Sequence, residues 1–151
     1  MWPFSRKKAL LPDADNKRIV EAIRSGEKRT SGEIRVYIES RNPLVNTLER
    51  AATLFHKLNM QKTHHRNGVL IYVAMLDKEL AIYGDEGIHQ QVGTDFWNQE
   101  ISMMLQRFRN QQLADGLVQC ILEVGEVLSQ RFPYQATEDK NELPDEIVFG
   151  R

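Results

Sequence analysis

The sequence predicts an α/β protein, a three-layer α/β/α sandwich on a small mixed β-sheet. Three observations carry this prediction. Val69–Leu76 is apolar at every position, which reads as a strand covered on both faces. Ile34–Ile38 alternates apolar and polar residues, the signature of a half-exposed strand. Between them Leu44–Asn59 has helical spacing, and a helix joining two strands implies a parallel, right-handed crossover.

The elements follow in order. Asn16–Lys28 reads as a helix with Ile19, Val20 and Ile23 on one face, Asp13 or Asp15 as its cap, and Gly26 near its end. Arg41, Asn42 and Pro43 break the first strand. The second helix, Leu44–Asn59, places Leu48, Ala51, Ala52, Phe55 and Leu58 on one side. Thr63–Gly68 is a polar loop, and Asp77-Lys78 turns the chain into a return strand, Glu79–Tyr83. Gly84–Gly87 reads as a loop rich in glycine and acid. Thr94 or Asp95 caps the next helix, Phe96–Phe108. The last helix, Leu113–Arg131, buries Leu117, Cys120, Ile121, Val124 and Leu128, and Pro133 ends it. The order is α-β-α-β-β-α-α. It divides the chain into an amino-terminal arm (1–12), one domain (13–134) and an acidic carboxy-terminal tail (135–151). The tail reads as mobile apart from a sticky patch at Leu143, Ile147, Val148 and Phe149, and the alternative is that Leu143–Phe149 docks on a partner or on the domain itself.

Composition narrows the function classes. A chain of 151 residues suits a single domain, and 20 basic against 21 acidic residues gives no reason to expect a nucleic-acid partner. A single cysteine excludes an internal disulfide framework. Met1–Leu11 runs apolar, then basic, then briefly apolar, the reverse of a secretory signal, and no apolar run approaches the roughly 18 residues of a spanning helix. Trp2, Phe4, Arg6, Lys7 and Lys8 read as a frayed or locally docked terminus rather than a membrane anchor. The expectation is a cytoplasmic monomer.

With two parallel strands and an antiparallel third, one end of the sheet collects Glu33, Asn67, Asp85, Glu86 and Asp95. The opposite end holds Ser40, Arg41, Asp77 and Lys78, ordinary turn chemistry. Carboxylates and an amide oxygen on glycine-bearing loops suit a hard divalent cation, which takes about 6–8 oxygens in the case of calcium. On spacing alone a solvated acidic loop and a helix cap account for the same residues more simply, because no calcium-loop pattern is present.

Other constellations are weaker. His56, His64, His65 and His89 lack the spacing of a zinc site and read as exposed loop histidines. Cys120 lies on an apolar stripe and reads as a small core residue. Ser31 beside Glu33 has no nucleophile elbow, and Gly84–Gly87 lacks the residues of a phosphate-binding loop. No constellation is catalytic from first principles.

Ser31–Ile38, Asn67–Ala74 and Lys78–Gly84, followed by Asp95, occur in an order and spacing that resembles the TPM-domain family over Asn16–Phe132. The resemblance implies an α/β/α sandwich that binds calcium or a related divalent ion at the acidic loop end. The family is often labelled a phosphatase, after a plant thylakoid-lumen member, while others are accessory proteins. Glu33, Asn67, Gly84 and Asp95 match the family pattern position by position. The chain departs from it at Gly84-Asp-Glu-Gly87, where a Gly-aromatic-Gly turn is usual, and at Arg66, where the family carries a second Asn or Asp. The expectation is then a module binding Ca²⁺, with Mg²⁺ as second choice. Asp85, Glu86 and Asp95 are its leading ligands, Glu33 and Asn67 close the site, and the bound state serves a protein partner. The alternative is a metal-assisted phosphatase acting on phosphomonoesters, with Arg66 or Arg35 clamping the anion.

Overall fold

Two adjacent strands form the middle of the protein. β1 (Glu33–Glu39) and β2 (Gly68–Ala74) run parallel, with Glu33 opposite Gly68 and Glu39 opposite Ala74. β3 (Glu79–Gly84) returns antiparallel on the outer side of β2. β4 (Ile147–Phe149) lies parallel to β1 on the other side, giving the order β3-β2-β1-β4. The computed structural model describes residues 10–44, 46–134 and 147–150. The aromatic and basic residues of the arm and most of the acidic tail, Leu143 included, lie outside the described residues.

Among the described residues four helices cover this sheet: α1 (Asp13–Glu27), α2 (Thr47–Lys57), α3 (Glu86–Arg109) and α4 (Leu113–Arg131). The strands' period of two sorts the core. Val69, Ile71 and Val73 face α1, α3 and α4 in the larger cluster, and Leu70, Tyr72 and Ala74 face α2 through Ala51, Leu54 and Phe55. The three-layer mixed α/β sandwich expected from the apolar second strand is the fold observed.

One ion pair fastens α2 to its face. Arg50 donates from Nε and Nη2 to the two oxygens of Glu39, both at 2.9 Å, and the Tyr72 hydroxyl donates to the same carboxylate. Burial and that hydrogen bond push the Tyr72 phenol well above its ordinary range.

Several elements differ from the sequence reading. The tail's Ile147–Phe149 is a strand, fixed by its pairing with β1 and by the Gly150 N–H donating to Ile38 O at 2.7 Å. Within β1 the expected alternation holds, with Ile34, Val36 and Ile38 buried and Arg35 and Tyr37 half-buried, and its two ends, Glu33 and Glu39, are buried as well. Neither Asp13 nor Asp15 makes a cap bond to α1. Pro12 occupies the cap position, and the two acids sit in the first turn, where they favour the helix dipole. Asn46 caps α2 by accepting from Glu49 N, and Leu48 points outward, 52% exposed. The largest difference is α3, which begins at Glu86 with Asp85 as its cap, well before Thr94. Gly93 (φ 80°, ψ 171°) kinks it, so the predicted start near Thr94 and Asp95 marks only its second segment.

Candidate metal site

The site lies where β1 and β2 begin and β3 ends. Glu33 is opposite Gly68 across the parallel pair, and Asp85 N–H donates to Gly68 O at 2.9 Å on the other side. The three strands thus bring Glu33, Asn67, Asp85 and Glu86 to one end of the sheet. Asp95 lies in the second segment of α3. It is exposed beyond the Gly93 kink, and among the described residues no three His, Cys, Asp or Glu side chains gather into a group able to hold a metal ion.

A guanidinium sits among the acids instead. Arg66 donates from Nε and Nη2 to both oxygens of Asp85, at 2.7 and 2.8 Å, and its Nη1 lies 3.2 Å from a Glu86 oxygen. Asp85 also accepts from Glu86 N at 2.8 Å, so one buried carboxylate caps α3 and anchors Arg66. The acids raise the Arg66 pKa, chiefly through the Asp85 hydrogen bond. Arg66 itself has φ +52°, and its side chain is 42% exposed. The glycine that follows Glu86 is required by packing. A Cβ on Gly87 would stand 2.1 Å from the His65 carbonyl oxygen, and its N–H donates to Arg66 O at 2.8 Å.

Asn67 completes the end of the sheet. It is 1% exposed, its Nδ2 donates to Ser31 Oγ at 3.1 Å, and its Oδ1 is buried with no hydrogen-bond partner among the described residues. An amide oxygen of this kind is a ligand type for a hard cation, and so is a carboxylate oxygen. Sequence reasoning placed these oxygens together but missed the Arg66 fork. Its signal was a basic residue in the loop directly before a buried strand.

His64 and His65 are exposed in the loop as expected, whereas His56 and His89 are exposed on α2 and α3 rather than in loops. Cys120 is buried, its thiol raised well above the ordinary value by burial and by Glu100 beside it. Glu100 is 7% exposed between α3 and α4, where burial first and then Glu123 push its pKa up to about 8.

Residues 5–127 match the TPM domain family. The BA42 protein of the psychrophilic bacterium Bizionia argentinensis, solved by NMR, is 42% identical, with a TM-score of 0.83 over 93% of this chain and 95% of its own. Two N-terminal domains share the fold. One, from a Porphyromonas protein (P. gingivalis), is 18% identical with a TM-score of 0.66, covering 82% of this chain and 79% of that one. The other, from the cg2496 protein of Corynebacterium glutamicum, is 13% identical with a TM-score of 0.59, covering 80% and 75%. No curated protein matches the chain. Among the described residues no helix is long and apolar enough to cross a membrane. The strand pattern, the helical layers and the matched span agree: this chain belongs to the TPM-domain family.

Proposed function

We propose that the chain is a binding and accessory module whose acidic sheet end takes a divalent cation, Ca²⁺, in exchange for the Arg66 guanidinium. The observation that carries this reading is the buried Asn67 Oδ1, an amide oxygen without a donor among the described residues, one residue from the Gly68–Asp85 pairing. Asp85 and Glu86 supply the charge, Glu33 lines the same end, and backbone carbonyls and water complete the shell. Asp95, on the segment of α3 after the Gly93 kink, is the remaining carboxylate ligand of this reading. The bound ion neutralises the carboxylates when Arg66 swings out, and the released guanidinium gives a protein partner something to read. The phosphatase alternative gains no support from Arg66, since carboxylates already engage the clamp it needs.

Calcium titration, read by melting temperature and amide shifts, is expected to raise the midpoint and move Asp85, Glu86 and Gly87. In Arg66→Asn the competing cation is gone, an amide oxygen replaces it, and Asn tolerates the positive φ. That variant should bind calcium more tightly than the parent. No response to millimolar calcium in either chain removes the proposal.

A further inference from the structure

We propose that the outer edge of β3 is a docking site for an extended segment of another polypeptide, which adds to the sheet as a fifth strand. The ladder identifies the groups it would meet. Asp85 N–H donates to Gly68 O, so Gly68 and Asp85 form a hydrogen-bonded pair of the antiparallel ladder. Alternation then turns the N–H and C=O of Tyr83, Ala81 and Glu79 toward β2. Those of Leu80, Ile82 and Gly84 turn away from it, and among the described residues β3 ends the sheet on that side.

This edge is the floor of a trench of about 830 Å³. Asn46–Leu48 of α2 forms one wall, and α3 from Glu86 to Ile101 forms the other. The recess decides the occupant. A second copy of this chain would bring its own flanking helices against both walls before its β3 reached the floor. A single extended chain carries nothing at its sides and can lie along the trench, where β3 offers room for about six residues at ~3.4 Å each.

The walls define the segment further. Trp97 and Ile101 give the α3 wall an apolar surface, and the exposed Leu48 stands on the α2 wall. The Trp97 indole N–H donates to His89 Nδ1 at 3.0 Å, which holds the ring against Gly84, where a Cβ would come within 2.5 Å of it. The trench lining sets two acids, Asp85 and Glu86, against Arg66 alone, an excess of negative charge, and the Glu86 side chain is 63% exposed. The complement is an extended peptide that alternates apolar and basic residues.

The test is an amide NMR titration of the full chain with a capped hexapeptide of alternating valine and lysine. A chelator is present throughout, so the outcome is independent of the cation proposal. Shifts are expected at residues 80–84 and 94–101, and exchange of the Leu80, Ile82 and Gly84 amides should slow at least ~tenfold at saturation. Methylating one alternate set of the peptide's backbone nitrogens should abolish binding, and methylating the other set should leave it. Leu48→Arg, a change at an exposed position, should weaken binding. Absence of these shifts, or equal behaviour of the two methylated peptides, overturns the proposal. So does protection of the three amides in the free chain, which would mean that another part of the molecule or a second copy already covers the edge.

Discussion

Two arginine–carboxylate forks, at opposite ends of the same sheet, have nearly the same geometry and different surroundings. Arg50 grips Glu39 where β1 finishes, and Arg66 grips Asp85 where β3 finishes. Glu39 is also met by the Tyr72 hydroxyl, and Arg50 is only 18% exposed. Asp85 is equally buried, but its arginine is 42% exposed and shared with the solvent-facing Glu86. The first fork is enclosed by α2 and acts as a rivet. The second keeps its acid inside and its cation at the surface, so the cation is the exchangeable part. Glu100 supplies a third case: a buried carboxyl that faces Glu123 and Cys120 and responds by holding its proton.

The contrast can be broken in order of expected effect. Arg50→Ala strands the Glu39 carboxylate in the core, and removing one partner of a buried pair costs about 3–5 kcal/mol; urea unfolding should show the low end of that range. An effect within the scatter of surface mutations would mean that the rivet is not one. Glu100→Gln acts next and in the opposite direction. The folded chain holds the Glu100 proton to about pH 8, whereas the unfolded chain loses it near the ordinary 4.5. Parent stability therefore falls as pH rises through that window, by an amount on the order of 2–4 kcal/mol. The glutamine variant should flatten the stability profile there and unfold later than the parent at its upper end. A parallel profile would show that Glu100 ionises freely. Arg66→Asn should be the mildest change in the absence of calcium, with a melting midpoint much closer to the parent than that of Arg50→Ala. A large loss would mean that the second fork is also a rivet, and would count against cation exchange.

Much of this was legible in the sequence, for identifiable reasons. β2 and α4 declare themselves locally: an unbroken apolar run has to be covered on both faces, and the stripe from Leu117 to Leu128 matches a helical period. The first segment of α3 was hidden because Glu86–Gly93 is polar and glycine-bearing, and because Asp85 caps it in a stretch that reads as loop. β4 was hidden for a different reason. Three apolar residues in an acidic tail carry no period, and only the open edge of β1, far away in sequence, makes them a strand. At the site, chain order was enough to gather Glu33, Asn67, Asp85 and Glu86. It could not show that Arg66 reaches across to the acids, since no local rule links a loop arginine to a helix cap 19 residues later.

The pairing of β4 with β1 also bears on how the molecule assembles. β1 is a central strand, yet one of its two neighbours is separated from it by more than a hundred residues. During synthesis β1 can join β2 early, through the short crossover containing α2, but its other edge stays open until residues 147–149 have been made. Closing so long a loop for a three-residue pairing belongs at the end of folding, after the helical layers are packed. The last strand to form is thus the one that turns an edge into an interior, and a nascent chain that lacked Ile147–Phe149 would leave that edge exposed to its neighbours.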